Sequence, residues 1–159
     1  MRLLTTLALT LAGLLAGCTS VGTLVPGQST QADVRARLGV PTETRKDRGG
    51  DDLWEYAGGA EGHESYLVRI GADGKVKEVT QLLTEERLMR VVPGRTTRQD
   101  VRDLLGRPSE ELMTGVGETW SWRYLVNSLR GHLVVSFNPD GTVRERGAVI
   151  DAIYYDSAN

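Results

Sequence analysis

Val92 to Pro108 restates Val25 to Pro41, with ten of 17 positions identical at an offset of 67 residues. Chance matching at ordinary composition gives about one identity over this length. A period of this size constrains the fold before any other feature does. Each copy is one supersecondary unit, and a unit this small must share its buried surface with its neighbour.

The local chemistry of the motif is the same in both copies. Pro26-Gly27 and Pro93-Gly94 make a turn. The hydroxyls of Ser29-Thr30 and Thr96-Thr97 follow, placed to accept from the orphan amides of a helix start. Asp33 and Asp100 fall in the first helical turn, where the helix dipole favours an acid. Val34/Leu38 and Val101/Leu105 are spaced four apart, so each pair lies on one helix face. Gly39 and Gly106 suit the left-handed residue after the helix, and Pro41 and Pro108 stop it. Each copy therefore predicts a turn, a helix of about two to three turns, and a stop.

After the first helix, Thr42 to Asp52 is polar and reads as a solvated loop. Leu53 to Tyr56, Tyr66 to Ile70 and Val76 to Leu82 alternate as strands, with Ala72-Asp73-Gly74 as a hairpin turn. In the second copy Thr84 caps an added short helix to Arg90. Trp120, Trp122 and Tyr124 share one face of a strand. Leu133, Val135 and Phe137 repeat at period two, and Asn138-Pro139-Asp140-Gly141 turns the chain into a last strand beginning at Thr142. Ala148 to Tyr155 extends that strand or crosses to the other copy. The expected fold is α+β: two tandem repeats, 24–83 and 84–159, each a short helix or helix pair followed by a three-stranded antiparallel meander. Trp54 and Trp120 are expected in the core. Trp122 fits either the core or a partner surface, where aromatics often anchor contacts.

The start of the chain is of another kind. Met1-Arg2 precedes an apolar run, Leu3 to Leu15, too short for a permanent span. The run ends in Leu15-Ala16-Gly17-Cys18. Residues 1–17 read as a lipoprotein signal peptide. Cys18 reads as the lipidated first residue of the mature chain, carrying fatty acyl groups such as palmitate. Residues 18–23 form a short linker. One acyl chain anchors weakly, at about 0.8 kcal/mol per buried CH₂, but the three of a bacterial lipoprotein hold firmly. Thr19 is not the Asp that retains such proteins in the inner membrane, so an outer-membrane position facing the periplasm is expected.

Catalytic chemistry is hard to find. Cys18 is the only cysteine, which excludes an internal disulfide and a cysteine-built metal site. His63 and His132 lack nearby ligands at metal spacing. No Gly-x-Ser-x-Gly elbow occurs, and the glycines of 58–62 lack the Lys-Ser/Thr of a phosphate loop. Neither a catalytic constellation nor a metal or cofactor is expected, and the chain reads as a non-enzyme. The formal charge of −2 gives no cue for nucleic acid. Removing residues 1–17 takes away Arg2 and leaves 18 Lys+Arg against 21 Asp+Glu, a net of −3.

One stretch leans the other way. Thr84 to Arg107 holds six arginines (Arg87, Arg90, Arg95, Arg98, Arg102, Arg107) against four acids. Arg98 and Arg102 are four apart and should share an exposed helix face. With Trp122 they are the candidate contacts for an anionic surface or an acidic partner, because the guanidinium fork suits phosphate and carboxylate.

The series Gly-x-(Ser/Thr)-Thr-x-x-Asp-Val-x-x-x-Leu-Gly-x-Pro, then Trp-x-(Tyr/Trp), then an alternating strand and Asp-Gly-x-Val, behind a lipobox, resembles the SmpA/OmlA (BamE-like) outer-membrane lipoprotein family. The second copy carries the likeness better, since it has the preceding helix. That family typically has one such unit; two in tandem are similar to the fold of β-lactamase inhibitory protein. The resemblance implies a non-catalytic scaffold for assembly of β-barrel outer-membrane proteins or envelope integrity, with proteins of the barrel assembly machinery as partners. The alternative it implies is a periplasm-facing binding or inhibitory module that grips a protein with its two sheet faces.

Overall fold

The computed structural model describes residues 21–58, 63–126 and 129–150. Helix α1 (Gln31–Leu38) leads into strands β1 (Glu43–Lys46), β2 (Asp52–Ala57), β3 (Ser65–Ile70) and β4 (Val76–Gln81). Helices α2 (Glu85–Met89) and α3 (Arg98–Leu105) then lead into β5 (Glu110–Thr114), β6 (Gly117–Val126), β7 (Leu129–Phe137) and β8 (Val143–Ile150). Each set of four strands is an antiparallel sheet in chain order. The class is the expected α+β tandem, and each sheet has four strands where three were expected. The additional strand is the first in each sheet. Glu43 to Lys46 has no apolar residue to announce it, and every residue of β5 is exposed. These are edge strands, held by their ladders to β2 and β6 rather than by burial.

The helix starts form as the motif predicts. The Thr30 hydroxyl accepts from the Asp33 amide at 3.3 Å while the Asp33 carboxylate accepts from the Thr30 amide at 2.8 Å. Thr97 and Asp100 repeat this capping box at 3.2 and 2.9 Å. The helices end at Gly39 (φ 78°, ψ −148°) and Gly106 (φ 72°, ψ −163°). Positive φ was expected, but ψ lies far from the left-handed helical value. This corner of backbone space is accessible almost solely to glycine.

The Pro-Gly turn is stitched to the hairpin of its own sheet, far along the chain. The Gly27 amide donates to the Val76 carbonyl and the Gly94 amide to that of Val143, both at 2.8 Å. In return the Val76 and Val143 amides donate to Ser29 and Thr96, also at 2.8 Å. Motif and hairpin thus close each unit from both ends.

One face of each sheet packs on its helix. Val34, Trp54, Tyr56, Val68, Ile70 and Val76 make the first core. Val101, Leu105, Trp120, Trp122, Phe137 and Val143 are among the residues of the second. Trp120 meets Phe137 edge-on with ring centroids 4.8 Å apart. Trp54 and Trp120 are buried as expected.

The opposite faces differ. On β2, Leu53 and Glu55 point away from α1 and are still buried, Glu55 to 1% exposure. What covers them is the helical side of the second unit. On β6 the same face carries Thr119 and Ser121, half-buried, and Arg123, exposed. Leu112, Leu125 and Val149 are exposed on the strands of that second sheet. Around Glu55 the outer face of the first sheet meets α3 and its flanks.

Candidate functional site

Glu55 lies at the centre of the junction between the units. Its carboxylate accepts from the Arg107 backbone amide and from the Arg102 guanidinium at 3.3 and 3.4 Å. Arg45 approaches the same carboxylate at 3.5 Å and reaches Asp103 at 3.5 Å with its other nitrogen. Arg102 also pairs with Glu43. A buried carboxylate is tolerated only when its oxygens are satisfied, and here two arginines and an amide satisfy them.

The three candidate contact residues thus have defined places. Arg102 is turned inward to Glu43 and Glu55 rather than to a shared outer face. Arg98 pairs with Glu118 at 2.7 Å and lies over the Phe137 ring at 5.3 Å. Trp122 is 1% exposed and donates its indole N–H to the Gly106 carbonyl at 3.3 Å. Cys18 and the signal peptide lie outside the described residues.

Sequence reasoning missed Glu55. One signal was present: an acid stands inside the apolar run Leu53 to Tyr56, where the second copy has Ser121.

Between α2 and α3 runs an open groove of about 860 Å³. Arg87 is pinned in its wall, donating Nε–H to the Leu104 carbonyl at 2.8 Å and a terminal N–H to that of Asp103 at 3.3 Å. Burial, and then the nearby Arg90 charge, depress the Arg87 pKa below its ordinary value. Arg90, Arg95, Met89 and Val92 also line the groove and are exposed, and Asp100 and Asp103 complete its charged lining.

Among the described residues no group of three or more His, Cys, Asp or Glu side chains could hold a metal ion. Among them too, no helix is long and apolar enough to cross a membrane.

None of the curated proteins matches this chain. A solved structure of a DUF4309 family protein (YjgB) from Bacillus subtilis is 19% identical, with 84% of this chain and 86% of that chain covered and a TM-score of 0.32. The model of the outer membrane protein assembly factor BamE domain matches residues 81–147, from the last residue of β4 into β8. The match falls on the copy with the helix pair, where the likeness was expected to be stronger. Through its second unit, the chain is similar to the BamE domain family.

Proposed function

We propose that this protein is a non-catalytic outer-membrane lipoprotein, anchored through acylated Cys18 and facing the periplasm, that supports assembly of β-barrel outer-membrane proteins by protein contacts. The observation that carries the reading is the match of residues 81–147 to the assembly-factor domain. The lipobox and the apolar run before it supply the anchor. The first unit, 24–83, then serves as a base: the linker 18–23 reaches only about 20 Å when extended, so this unit stands next to the lipid and the second projects from it. Arg98, Arg102 and Trp122 act in this reading as internal supports of the second unit rather than as its contacts.

The test is co-purification of the full-length tagged protein from detergent-solubilised membranes. Barrel-assembly components should accompany it. Recovery of only a periplasmic or secreted enzyme would replace this reading with the inhibitory one. Metabolic labelling with a fatty-acid probe should mark the wild type and not Cys18→Ala.

A further inference from the structure

The acids lining the α2–α3 groove are already engaged within the fold. The Asp100 carboxylate accepts from the Thr97 amide at 2.9 Å and from the Thr97 hydroxyl at 2.6 Å. Asp103 pairs with Arg45 and accepts from Gln99 at 3.2 Å. No hydrogen bond or ion pair within the described residues holds the side chain of Arg90 or Arg95. The groove lining thus carries three arginines against two acids, and neither Arg90 nor Arg95 is paired with a carboxylate among the described residues. Beside it lies apolar surface, with Met89 62% and Val92 41% exposed. Among the described residues the first unit shows no such place: Gln28 stands where the second has Arg95, and only a 3-10 turn, Val21–Thr23, precedes the motif.

From this charge balance we propose that the α2–α3 groove is a docking site for an acidic segment of a partner protein, with Arg90 and Arg95 taking its carboxylates and Met89 and Val92 an adjoining apolar side chain. The site deepens the assembly reading and rests on it for the partner's setting. The shape favours a protein segment over a lipid surface. A groove of about 860 Å³ has room for several side chains, and Arg87 is drawn back into the wall instead of projecting toward a flat layer of headgroups. Charge complementarity of this kind acts mostly on encounter rate and on choice of partner.

The experiment uses the full-length lipoprotein in cells, with a photo-crosslinking amino acid at Val92, and at exposed Val40 in the first unit as control. The Val92 probe should capture a protein through a peptide rich in Asp and Glu. Arg90→Glu with Arg95→Glu should lower that yield about tenfold while leaving the Val40 pattern unchanged. Melting of the purified double variant should match that of the wild type. Capture of lipid alone, no capture, or a yield indifferent to charge reversal in a folded variant would overturn the groove proposal. The assembly reading fails separately. If barrel-assembly components still co-purify when Val92 captures nothing, only the groove is lost. If Val92 captures an acidic segment of a protein outside that machinery, only the assembly role is lost.

Discussion

Gly39 and Gly106 hold the same place in the two copies and the same backbone conformation, φ 78° and 72°. Each donates its amide to the carbonyl four residues back, at 2.9 and 3.0 Å. Each has its carbonyl capped by an aromatic from the second strand of its sheet: the Tyr56 hydroxyl at 3.4 Å and the Trp122 indole at 3.3 Å. Yet a Cβ on Gly39 would meet nothing within 4 Å. One on Gly106 would lie 2.6 Å from a Glu55 oxygen and 2.7 Å from Leu82 Cδ1. Arg35 and Arg102 part in the same way. The first lies over its own Trp54 at 4.6 Å, while the second crosses to Glu43 and Glu55. The motif sets the local backbone in both copies, and position in the tandem decides what each residue touches.

The largest break in this comparison is expected at the carboxylate itself. Glu55→Ala leaves the Arg107 amide without a partner and takes from Arg102 one of its two carboxylates, and should cost about 2–3 kcal/mol. Ser121→Ala, at the matching position on β6, should stay within about 1 kcal/mol. Chemical denaturation of both variants measures the contrast. Equal losses would mean that Glu55 does not hold the units together.

The glycines come next. Both Ala substitutions meet strain of about 1–3 kcal/mol at this backbone position. Gly106→Ala adds overpacking of about 1–3 kcal/mol against Glu55 and Leu82, and Gly39→Ala does not. In a Glu55→Ala background the excess at Gly106 should shrink, since one of the two clashing neighbours is gone. A double-mutant cycle reads that coupling, and additivity would contradict the contact.

The caps should show no difference between the copies. Thr30→Ala and Thr97→Ala should each cost about 1 kcal/mol, because the capping boxes are alike. A wide gap in melting temperature between them would show that neighbours as well as the motif govern the helix starts.

The smallest effect is acid sensitivity. The amide of Thr30 and then its hydroxyl hold Asp33 below its ordinary carboxylate pKa, and the hydroxyl of Thr97 and then its amide do so for Asp100. A depressed acid stabilises the fold above its unfolded pKa of about 3.9, and that gain is lost as pH falls from there through the folded value. Melting temperature should therefore drop below about pH 4. Asp33→Asn and Asp100→Asn should each flatten the drop to a similar degree.

The repeat, the hydroxyl caps of both helices, the added helix and both hairpins were legible because each depends on a few adjacent residues of special chemistry. The edge strands were not. Glu43-Thr44-Arg45-Lys46 gains its strand only by pairing with β2, so its own composition carries no period. The inward role of Arg102 was hidden for a related reason. Arg35 is the same residue in the same motif, and only the partner from the other unit separates them. Trp122 was readable as aromatic and inward-capable, but its choice of core over surface depended on the Gly106 carbonyl beneath it.

The way the units meet gives the chain a direction of growth. The first sheet offers its outer face, with Glu43, Arg45 and Glu55, to the helix that comes after it. The second sheet keeps Glu110 where Glu43 stood but has Leu112 in place of Arg45 and Ser121 in place of Glu55. A further copy grafted behind β8 would bring its own motif arginine to a face with no carboxylate at the centre. The outer face of the second sheet thus lacks the carboxylate that receives the motif arginine on the first. Ser121→Glu with Leu112→Arg is the minimal change that would give the second sheet the junction chemistry of the first.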